Sequence, residues 1–283
     1  MLHDTTVTDH DIPLAVRDSG GAGDPVLLLH GLGGTLEAWD ALGLEGHRTV
    51  AMDLRGHGRS GDGPWDWEAA LDDLEAVVRC LGLGNPAVAG HSLGGMLAVQ
   101  WALRHPECPA VVNLDGLRSA ESDPGNYPGM DPAERDRALA DLKAAFDAQA
   151  ASMGRPLPPE TQAMFPSRAL TTRDGRTYAR PGAELLAAVR HTPPFRDTIP
   201  LLRNLTCPAL VVIPAQDPPA MPGGELMAAF RRGVRRDLAG LPSNVRLREL
   251  DAGHDMLTER PEEVAALMAA FLAANPPGGA SPA

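Results

Sequence analysis

The residues Gly90-His91-Ser92-Leu93-Gly94 decide the fold class of this chain, because they fit the pattern G-x-S-x-G in an informative context. The pentapeptide follows a short apolar run at residues 87–90 and opens a helical pattern at residues 93–104. A serine between a strand and a helix occupies a sharp turn, in which flanking glycines avoid a steric collision. Its hydroxyl then lies at a helix N-terminus, where the dipole favours negative charge. The pattern predicts a nucleophilic serine, and the alternative is a Gly-Ser turn that only caps a helix.

Apolar runs and helical patterns alternate on both sides of this turn. Two early segments carry apolar residues at every second position, as antiparallel edge strands do, and continuous apolar runs that suit buried strands follow. Strand–helix–strand alternation at this spacing predicts an α/β fold with a mostly parallel eight-stranded sheet and helices on both faces. The eight segments are residues 5–8, 12–18, 25–29, 48–54, 87–90, 110–114, 209–213 and 245–250. Helical patterns are found at residues 35–42, 66–81, 93–104, 224–238 and 261–274.

The composition changes between the sixth and seventh of these strand segments. Strand signals are nearly absent there, and helical patterns occupy residues 132–153 and 183–189. We therefore predict a helical cap inserted after the sixth strand. The domain boundaries that follow are 1–116 and 201–274 for the two parts of the core, 117–200 for the cap and 275–283 for a flexible tail.

Composition and charge exclude several classes of protein. The 283 residues carry 25 Lys and Arg against 37 Asp and Glu, and this net charge of −12 disfavours binding to nucleic acid or to anionic membranes. Three cysteines without CxxC spacing disfavour both a disulfide framework and a zinc site. Because the N-terminus lacks a basic segment followed by an apolar run, and no stretch is long enough to span a bilayer, we expect a soluble cytoplasmic protein.

A serine hydroxyl becomes a good nucleophile only when a base takes its proton, so a histidine is expected at the end of another strand. His254 has this position, directly after the run 245–250 and before the last helical pattern. A solvent-exposed loop histidine is the alternative interpretation. We predict that His254 is the general base for Ser92.

The imidazole needs a carboxylate to fix its tautomer, and two aspartates at strand ends lie between Ser92 and His254 in the sequence. Asp217 follows the run 209–213 and is the favoured acid. Asp115 follows the run 110–114 and is the alternative acid. If Asp115 is not the acid, we expect it to cap or anchor the start of the inserted segment.

The tetrahedral intermediate of acyl transfer needs hydrogen-bond donors for its oxyanion. The backbone N–H of Leu93, directly after the nucleophile, is one expected donor, and that of Leu32 in the His30-Gly31-Leu32-Gly33-Gly34 loop is the second. This loop has neither the glycine spacing of a dinucleotide fingerprint nor the lysine of a P-loop. No acidic cluster has the spacing of a metal site, so we expect no cofactor and no metal.

These motifs, in this order, resemble those of the α/β-hydrolase superfamily, in the branch that carries a helical cap. The resemblance covers about residues 25–272 except the cap. It implies the nucleophile Ser92, the base His254, the oxyanion donors Leu32 and Leu93, and Asp217 as the acid after the seventh strand. Some relatives have the acid after the sixth strand, which would be Asp115. Beyond the elbow and the oxyanion loop, the matching stretches are MDLRGHGRS at 52–60, PALVVI at 208–213, AGH at 252–254 and ERPE at 259–262.

The expected function is hydrolysis of an acyl ester, thioester or lactone of a small-molecule substrate through an acyl-enzyme. The alternatives are hydrolysis of a carbon–carbon bond, acyl transfer or cyclisation, and, more distantly, a non-catalytic ligand-binding protein. The cap is expected to set the substrate, and the pairs Arg190/His191 and Arg231/Arg232 either contact an anionic substrate or are solvated. Candidate cap liners are Tyr127, Met130, Phe146, Met153, Met164, Phe165, Tyr178 and Phe195.

Overall fold

The fold is built around one eight-stranded sheet, seen in a computed structural model that describes residues 2–216 and 224–277. The strand order is β1-β2-β4-β3-β5-β6-β9-β10. Strand β2 pairs antiparallel with both of its neighbours, β1 and β4, and all the other neighbouring strands pair parallel. The strands are β1 His3–Val7, β2 Leu14–Asp18, β3 Asp24–Leu29, β4 His47–Met52, β5 Ala87–His91, β6 Val111–Leu114, β9 Ala209–Pro214 and β10 Val245–Leu250. The predicted mostly parallel eight-stranded sheet is confirmed.

Two hydrophobic cores cover the two faces of this sheet. Alternate residues of β3 face opposite sides, so Leu27 and Leu29 belong to one core and Val26 and Leu28 to the other. The first core includes α1 and α2, and the second includes α10. Strands that are buried on both faces explain the continuous apolar runs of the sequence. The helices of this part of the chain are α1 Trp67–Cys80, α2 Leu93–Arg104, α8 Gly224–Asp237, α9 Met256–Glu259 and α10 Pro261–Ala273.

The segment between β6 and β9 forms a cap that contributes no strand to the main sheet. Its helices are α3 Pro132–Met153, α4 Pro159–Gln162, α5 Ala183–Arg190, α6 Pro193–Arg196 and α7 Ile199–Leu202. The helical cap predicted after the sixth strand is confirmed, and it also holds a second, two-stranded sheet of β7 Leu170–Arg173 and β8 Arg176–Ala179 that the sequence analysis does not predict.

The physical reason for the cap hairpin is the turn Asp174-Gly175. Both residues have positive φ, 49° and 71°, as a two-residue hairpin turn of type I′ requires. Asp-Gly is a favoured pair for this turn, and threonines and a tyrosine in the flanking strands favour extended backbone. The sequence signal is therefore present, although the surrounding helical composition conceals it.

Cap arginines fix the cap to the loop that follows β4. Arg168 is buried, and its Nε donates to Asp53 at 2.7 Å. Arg180 donates to the backbone carbonyls of Gly56, Gly58 and Ser60 at 3.2, 2.9 and 2.8 Å. The cap is thus attached to the core by hydrogen bonds at a distance from its two chain connections.

Three further sequence predictions have different outcomes. The helix expected at 35–42 is only a 3-10 turn at Leu36–Trp39, and two more such turns are found at Pro124–Asn126 and Ser167–Ala169. The last six residues of the expected tail lie outside the described part of the chain. Within residues 2–216 and 224–277, no helix combines the length and apolar character that crossing a bilayer needs.

Candidate active site

Ser92 lies in a strained turn between β5 and α2. Its φ of 53° and ψ of −118° are outside the regions that side chains favour, and such strain is concentrated at functional positions. A Cβ on Gly90 would overlap the backbone of Gly94, and one on Gly94 would overlap the backbone of Leu29. The two glycines are therefore required by close backbone approach, as the G-x-S-x-G pattern predicts.

Asp115 stands beside this turn at the end of β6. Its backbone also has positive φ, 51°, and its N–H donates to Val212 at 2.9 Å. The buried side chain of Asn113 holds Gly116, the residue after Asp115. Its Oδ1 accepts from the N–H of Gly116 at 2.7 Å, and its Nδ2 donates to the carbonyl of Gly95 at 3.1 Å. Asn113 thus ties the loop that carries Asp115 to helix α2.

The side chains of His254 and Asp115 are hydrogen-bonded to each other. Nδ1 of His254 lies 2.7 Å from Oδ2 of Asp115, across 139 residues of sequence. Burial lowers the pKa of His254, but the hydrogen bond and the charge of Asp115 outweigh it, so that the pKa is above its ordinary value. Because an ionised carboxylate can only accept a hydrogen bond, the proton of the neutral imidazole lies on Nδ1. The other nitrogen, Nε2, then carries the lone pair that can accept a proton.

A second histidine, His91, holds the backbone of the His254 loop. Its Nε2 lies 2.7 Å from the carbonyl oxygen of His254, and the two ring centroids are 4.8 Å apart. Burial, with a smaller effect from His254, lowers the pKa of His91 to about 4. His91 is therefore neutral at pH 7, and its Nε2–H donates to the His254 carbonyl. The sequence does not predict this role for His91, because no sequence pattern relates residue 91 to the segment around residue 254.

The loop after β3 passes close to Ser92. A Cβ on Gly31 would lie 3.1 Å from Cβ of Ser92, so the loop approaches Ser92 closely and leaves little room for a side chain at this position. The buried His30 fixes the loop by donating from Nδ1 to Gly31 at 2.7 Å and accepting the N–H of Leu54 on Nε2 at 3.0 Å. Leu32 follows in this loop and, like Ser92, lines the cavity described next.

A cavity of about 470 Å³ lies between the cap, α8 and the carboxyl ends of the strands. Ser92, Asp115, His254 and Leu32 all contribute to its wall. Most of its other lining residues are apolar, and four arginines interrupt this surface. The apolar side chains include Met96, Leu117, Phe146, Met153, Leu186, Phe195, Ile213, Met227, Phe230 and Val234, and the arginines are Arg118, Arg190, Arg231 and Arg235.

The structure brings together some predicted site residues and not others. Ser92, His254, Asp115 and Leu32 meet at the cavity, and Leu93 is buried directly behind Ser92. Asp217 lies outside the described residues. Of the eight candidate cap liners, Phe146, Met153 and Phe195 line the cavity, whereas Met164 is 80% exposed and Tyr127 is buried against Leu226 and Ala229.

Among the described residues, no group of three or more His, Cys, Asp or Glu side chains has the arrangement to hold a metal ion.

The comparison with curated proteins identifies partial relatives. The AB hydrolase superfamily protein YisY of Bacillus subtilis is 32% identical over 160 residues, which are 49% of this chain and 59% of that protein. The bifunctional esterase/perhydrolase DCH of Acinetobacter calcoaceticus is 37% identical over 112 residues, which are 37% of this chain and 40% of that protein. The chain thus matches about half the length of these curated relatives.

The comparison with solved structures supports the same fold over the whole chain. The enol-lactonase from Burkholderia xenovorans LB400 has a TM-score of 0.64 and 22% identity, and the alignment covers 95% of this chain and 100% of that chain. A family model described as the alpha/beta hydrolase family matches residues 26–267. Because that match covers most of the sequence and confirms the fold and the hydrolase class that its motifs predict, the chain belongs to the alpha/beta hydrolase family.

Proposed function

We propose that the protein is a serine hydrolase that cleaves an acyl ester, thioester or lactone of a small organic substrate. The observation that carries this proposal is the 2.7 Å contact between His254 and Asp115 in the wall of the cavity that Ser92 also lines. A nucleophile, a base and an orienting carboxylate in one cavity are the groups that acyl transfer through serine requires.

In the proposed reaction, the Ser92 hydroxyl attacks the carbonyl carbon while Nε2 of His254 takes its proton. His254 then gives this proton to the leaving oxygen or sulfur, and the acyl group stays on Ser92. Water, deprotonated by His254, attacks the acyl-enzyme and releases the acid. Asp115 stays ionised throughout and stabilises the imidazolium that forms in each step.

The oxyanion of each tetrahedral intermediate is assigned to the backbone N–H groups of Leu32 and Leu93. Leu93 is the first residue of α2, so its amide lies at the positive end of a 12-residue helix. The Gly31 backbone that approaches Ser92 brings the Leu32 loop to the same place. Donors that are fixed before the reaction stabilise developing charge without reorganisation.

The acid of the proposed triad is Asp115 rather than Asp217. Nδ1 of His254 can donate one hydrogen bond, and the carboxylate of Asp115 accepts it. The loop that carries this carboxylate is held by two hydrogen bonds, from the Gly116 N–H to Asn113 and from the Asp115 N–H to the Val212 carbonyl, as a catalytic carboxylate needs. Asp217 is then assigned no role in proton transfer.

The size and polarity of the cavity support a small acyl substrate. A volume of about 470 Å³ and a largely apolar wall are in the range of small-molecule sites. The names of the two proteins above, an esterase/perhydrolase and an enol-lactonase, agree with an ester or lactone substrate. We take esters and lactones as the first substrates to test.

The experiment that tests the proposal is covalent labelling with a fluorophosphonate, followed by intact-mass measurement. In wild type, Ser92 is expected to form one adduct per chain as fluoride leaves, and Ser92→Ala is expected to form none while keeping its thermal unfolding midpoint. Asp115→Asn is expected to label more slowly than the matched variant Asp217→Asn. A folded wild type that is not labelled, or labelling that persists in Ser92→Ala, would contradict the proposal.

A further inference from the structure

The loop that carries the second oxyanion donor, Leu32, is held at both of its ends by the loop that follows β4. At its start, Nε2 of the buried His30 accepts the backbone N–H of Leu54 at 3.0 Å. Just beyond its end, the backbone N–H of Leu36 donates to Oδ1 of Asp53 at 2.8 Å. Leu36 is the first residue of the 3-10 turn that follows the loop. The position of the donor loop therefore depends on two adjacent residues of the neighbouring loop.

The carboxylate of Asp53 is fully buried, and its counter-charge comes from the cap. Besides the backbone N–H of Leu36, it accepts the N–H of Arg59 at 2.8 Å and Nε of Arg168 at 2.7 Å. In the part of the chain that the structure describes, Arg168 is the only cationic side chain paired with Asp53. A buried carboxylate that loses its cation is strongly destabilised, so the position of Asp53 depends on Arg168.

A second connection leads from Arg168 to the other end of the same 3-10 turn. Nη1 of Arg168 donates to Oδ2 of Asp4 in β1 at 3.0 Å. Arg17 in β2 donates to Asp4 at 2.6 and 3.1 Å, and to both carboxylate oxygens of Asp40 at 2.6 Å. Asp40 is the residue that directly follows the turn Leu36–Trp39. One arginine of the cap is thus linked to both ends of this turn.

The donor loop passes so close to the nucleophile that a small displacement of it would matter. A Cβ on Gly31 would lie 3.1 Å from Cβ of Ser92, and Leu32 and Gly33 line the cavity together with Ser92. An oxyanion donor stabilises the transition state only when it is fixed in the correct position before the reaction. Arg168 does not line the cavity, so an effect of this residue on catalysis has to pass through the residues that it contacts.

We propose that Arg168 is a positioning residue for the oxyanion loop, residues 30–34, and that it acts through the carboxylates of Asp53 and Asp4. The attachment of the cap and the geometry of the oxyanion hole then depend on one side chain. The proposal rests on the proposed function, in which this loop supplies an oxyanion donor. We expect the connection through Asp53 to be the stronger one, because Asp53 is 0% exposed and Asp4 is 40% exposed.

The first test compares turnover in Arg168→Met with turnover in Arg173→Met, each at a temperature at which circular dichroism shows a folded protein. Arg173 is the matched control, because it joins the cap to Asp62 in an exposed pair outside the network above. For p-nitrophenyl butyrate, we expect kcat of Arg168→Met to fall about tenfold or more with little change in KM, because a displaced donor weakens binding of the transition state and not of the substrate. Arg173→Met is expected to keep both values.

A transition-state analogue supplies a readout that a general loss of packing would not change. Oγ of Ser92 adds to the carbonyl carbon of 1,1,1-trifluoroheptan-2-one, its proton passes to His254, and the oxygen of the adduct becomes an oxyanion. Heptan-2-one has the same chain length and binds without this adduct. We expect the Ki of the trifluoro ketone to rise about tenfold in Arg168→Met and the Ki of heptan-2-one to stay unchanged. Equal increases in the two Ki values would contradict a role in the oxyanion hole.

Hydrogen exchange separates this proposal from the proposed function, because it needs no turnover. In Arg168→Met, peptides that cover residues 30–42 are expected to exchange faster than in wild type and in Arg173→Met, and the increase is expected to be larger there than in α10. Faster exchange in a protein that hydrolyses no ester would refute the ester hydrolase and support the connection. Ester hydrolysis with unchanged exchange and unchanged kcat in Arg168→Met would refute the connection alone.

Arg168→Lys is the milder variant and replaces Arg168→Met if the latter does not fold. Lysine keeps the charge of the buried pair but lacks the planar fork with which Arg168 reaches two carboxylates. We expect its kcat and its exchange at residues 30–42 to lie between those of wild type and those of a variant without the cation. A folded Arg168→Met that behaves as Arg173→Met, or an Arg168→Lys that equals wild type in both kcat and exchange, would overturn the proposal.

Discussion

Nε2 of His91 lies 2.7 Å from the backbone carbonyl oxygen of His254, so the residue before the nucleophile holds the loop of the base. The two residues are 163 positions apart in the sequence. On the other side of the same loop, Glu259 accepts the N–H of Gly253 at 2.7 Å. His254 is therefore oriented by three contacts of different kinds: its own side chain on Asp115, its carbonyl on His91, and the preceding amide on Glu259.

His91→Phe removes the donor while it keeps a flat ring of similar size. We expect kcat for a p-nitrophenyl ester to fall about tenfold or more with little change in KM, because a small displacement of a catalytic group is costly. His91→Gln restores an N–H donor and is expected to recover part of the loss. A value of kcat for His91→Phe within twofold of wild type would show that the contact does not position the base.

Asp115→Asn removes the charge that raises the pKa of His254. His254 acts as a base only when it is neutral, so activity rises with pH through its pKa. Without the carboxylate, the burial of the imidazole lowers this pKa, and the rising limb of kcat/KM is expected to move to lower pH. We also expect kcat to fall about a thousandfold or more, because the Nδ1 tautomer is no longer held.

The matched variant for this experiment is Asp217→Asn. With Asp115 as the acid, Asp217→Asn is expected to keep both kcat and the position of the rising limb. The reverse result, a large loss of kcat in Asp217→Asn and an active Asp115→Asn, would show that Asp217 is the acid. The pH profile of kcat/KM distinguishes the two cases without a substrate complex.

The proposed nucleophile and base could be predicted from the sequence, because each depends on a local pattern at a strand end. The proposed acid could not be selected in this way, since Asp115 and Asp217 both follow strands and both lie between Ser92 and His254 in the sequence. The contact between Asp115 and His254, which supports the choice of Asp115, joins two loops that are distant in the sequence. Similarly, the spacing of α8 shows that Arg231 and Arg235 share a helix face, but it does not show which face meets the cavity.

The stability of the fold should depend on the neutral state of two buried histidines, His30 and His57. Burial lowers the pKa of both, and that of His57 falls to about 3. Between that value and about 6.5, the unfolded chain binds more protons than the folded chain, so the free energy of unfolding falls as the pH falls. His254, whose folded pKa is raised, contributes in the opposite direction, with stability that is present below about 6.5 and lost as the pH rises through its folded pKa.

His57→Gln tests this pH dependence. Nδ1 of His57 lies 2.9 Å from the carbonyl of Arg55, a bond that the Gln amide can replace, and no partner for Nε2 is found among the described residues. In urea unfolding between pH 6.5 and 5, the free energy of unfolding of wild type is expected to fall more steeply with decreasing pH than that of His57→Gln. The difference in slope is up to about 1.4 kcal/mol per pH unit. His191→Gln, at an exposed position of the cap, is the control and should keep the wild-type slope.

Two ion pairs between the cap and the core differ in burial, and their removal should have different effects on stability. Arg168 and Asp53 are 2% and 0% exposed, whereas Arg173 and Asp62 are both 61% exposed. Arg168→Met leaves the Asp53 carboxylate buried without its cation and is expected to reduce the free energy of unfolding by about 3 kcal/mol. Arg173→Met is expected to cost less than about 1 kcal/mol, because solvent screens the exposed pair. Urea unfolding at pH 7.5 measures both changes. A loss in Arg168→Met as small as that expected for Arg173→Met would show that the buried pair does not stabilise the attachment of the cap.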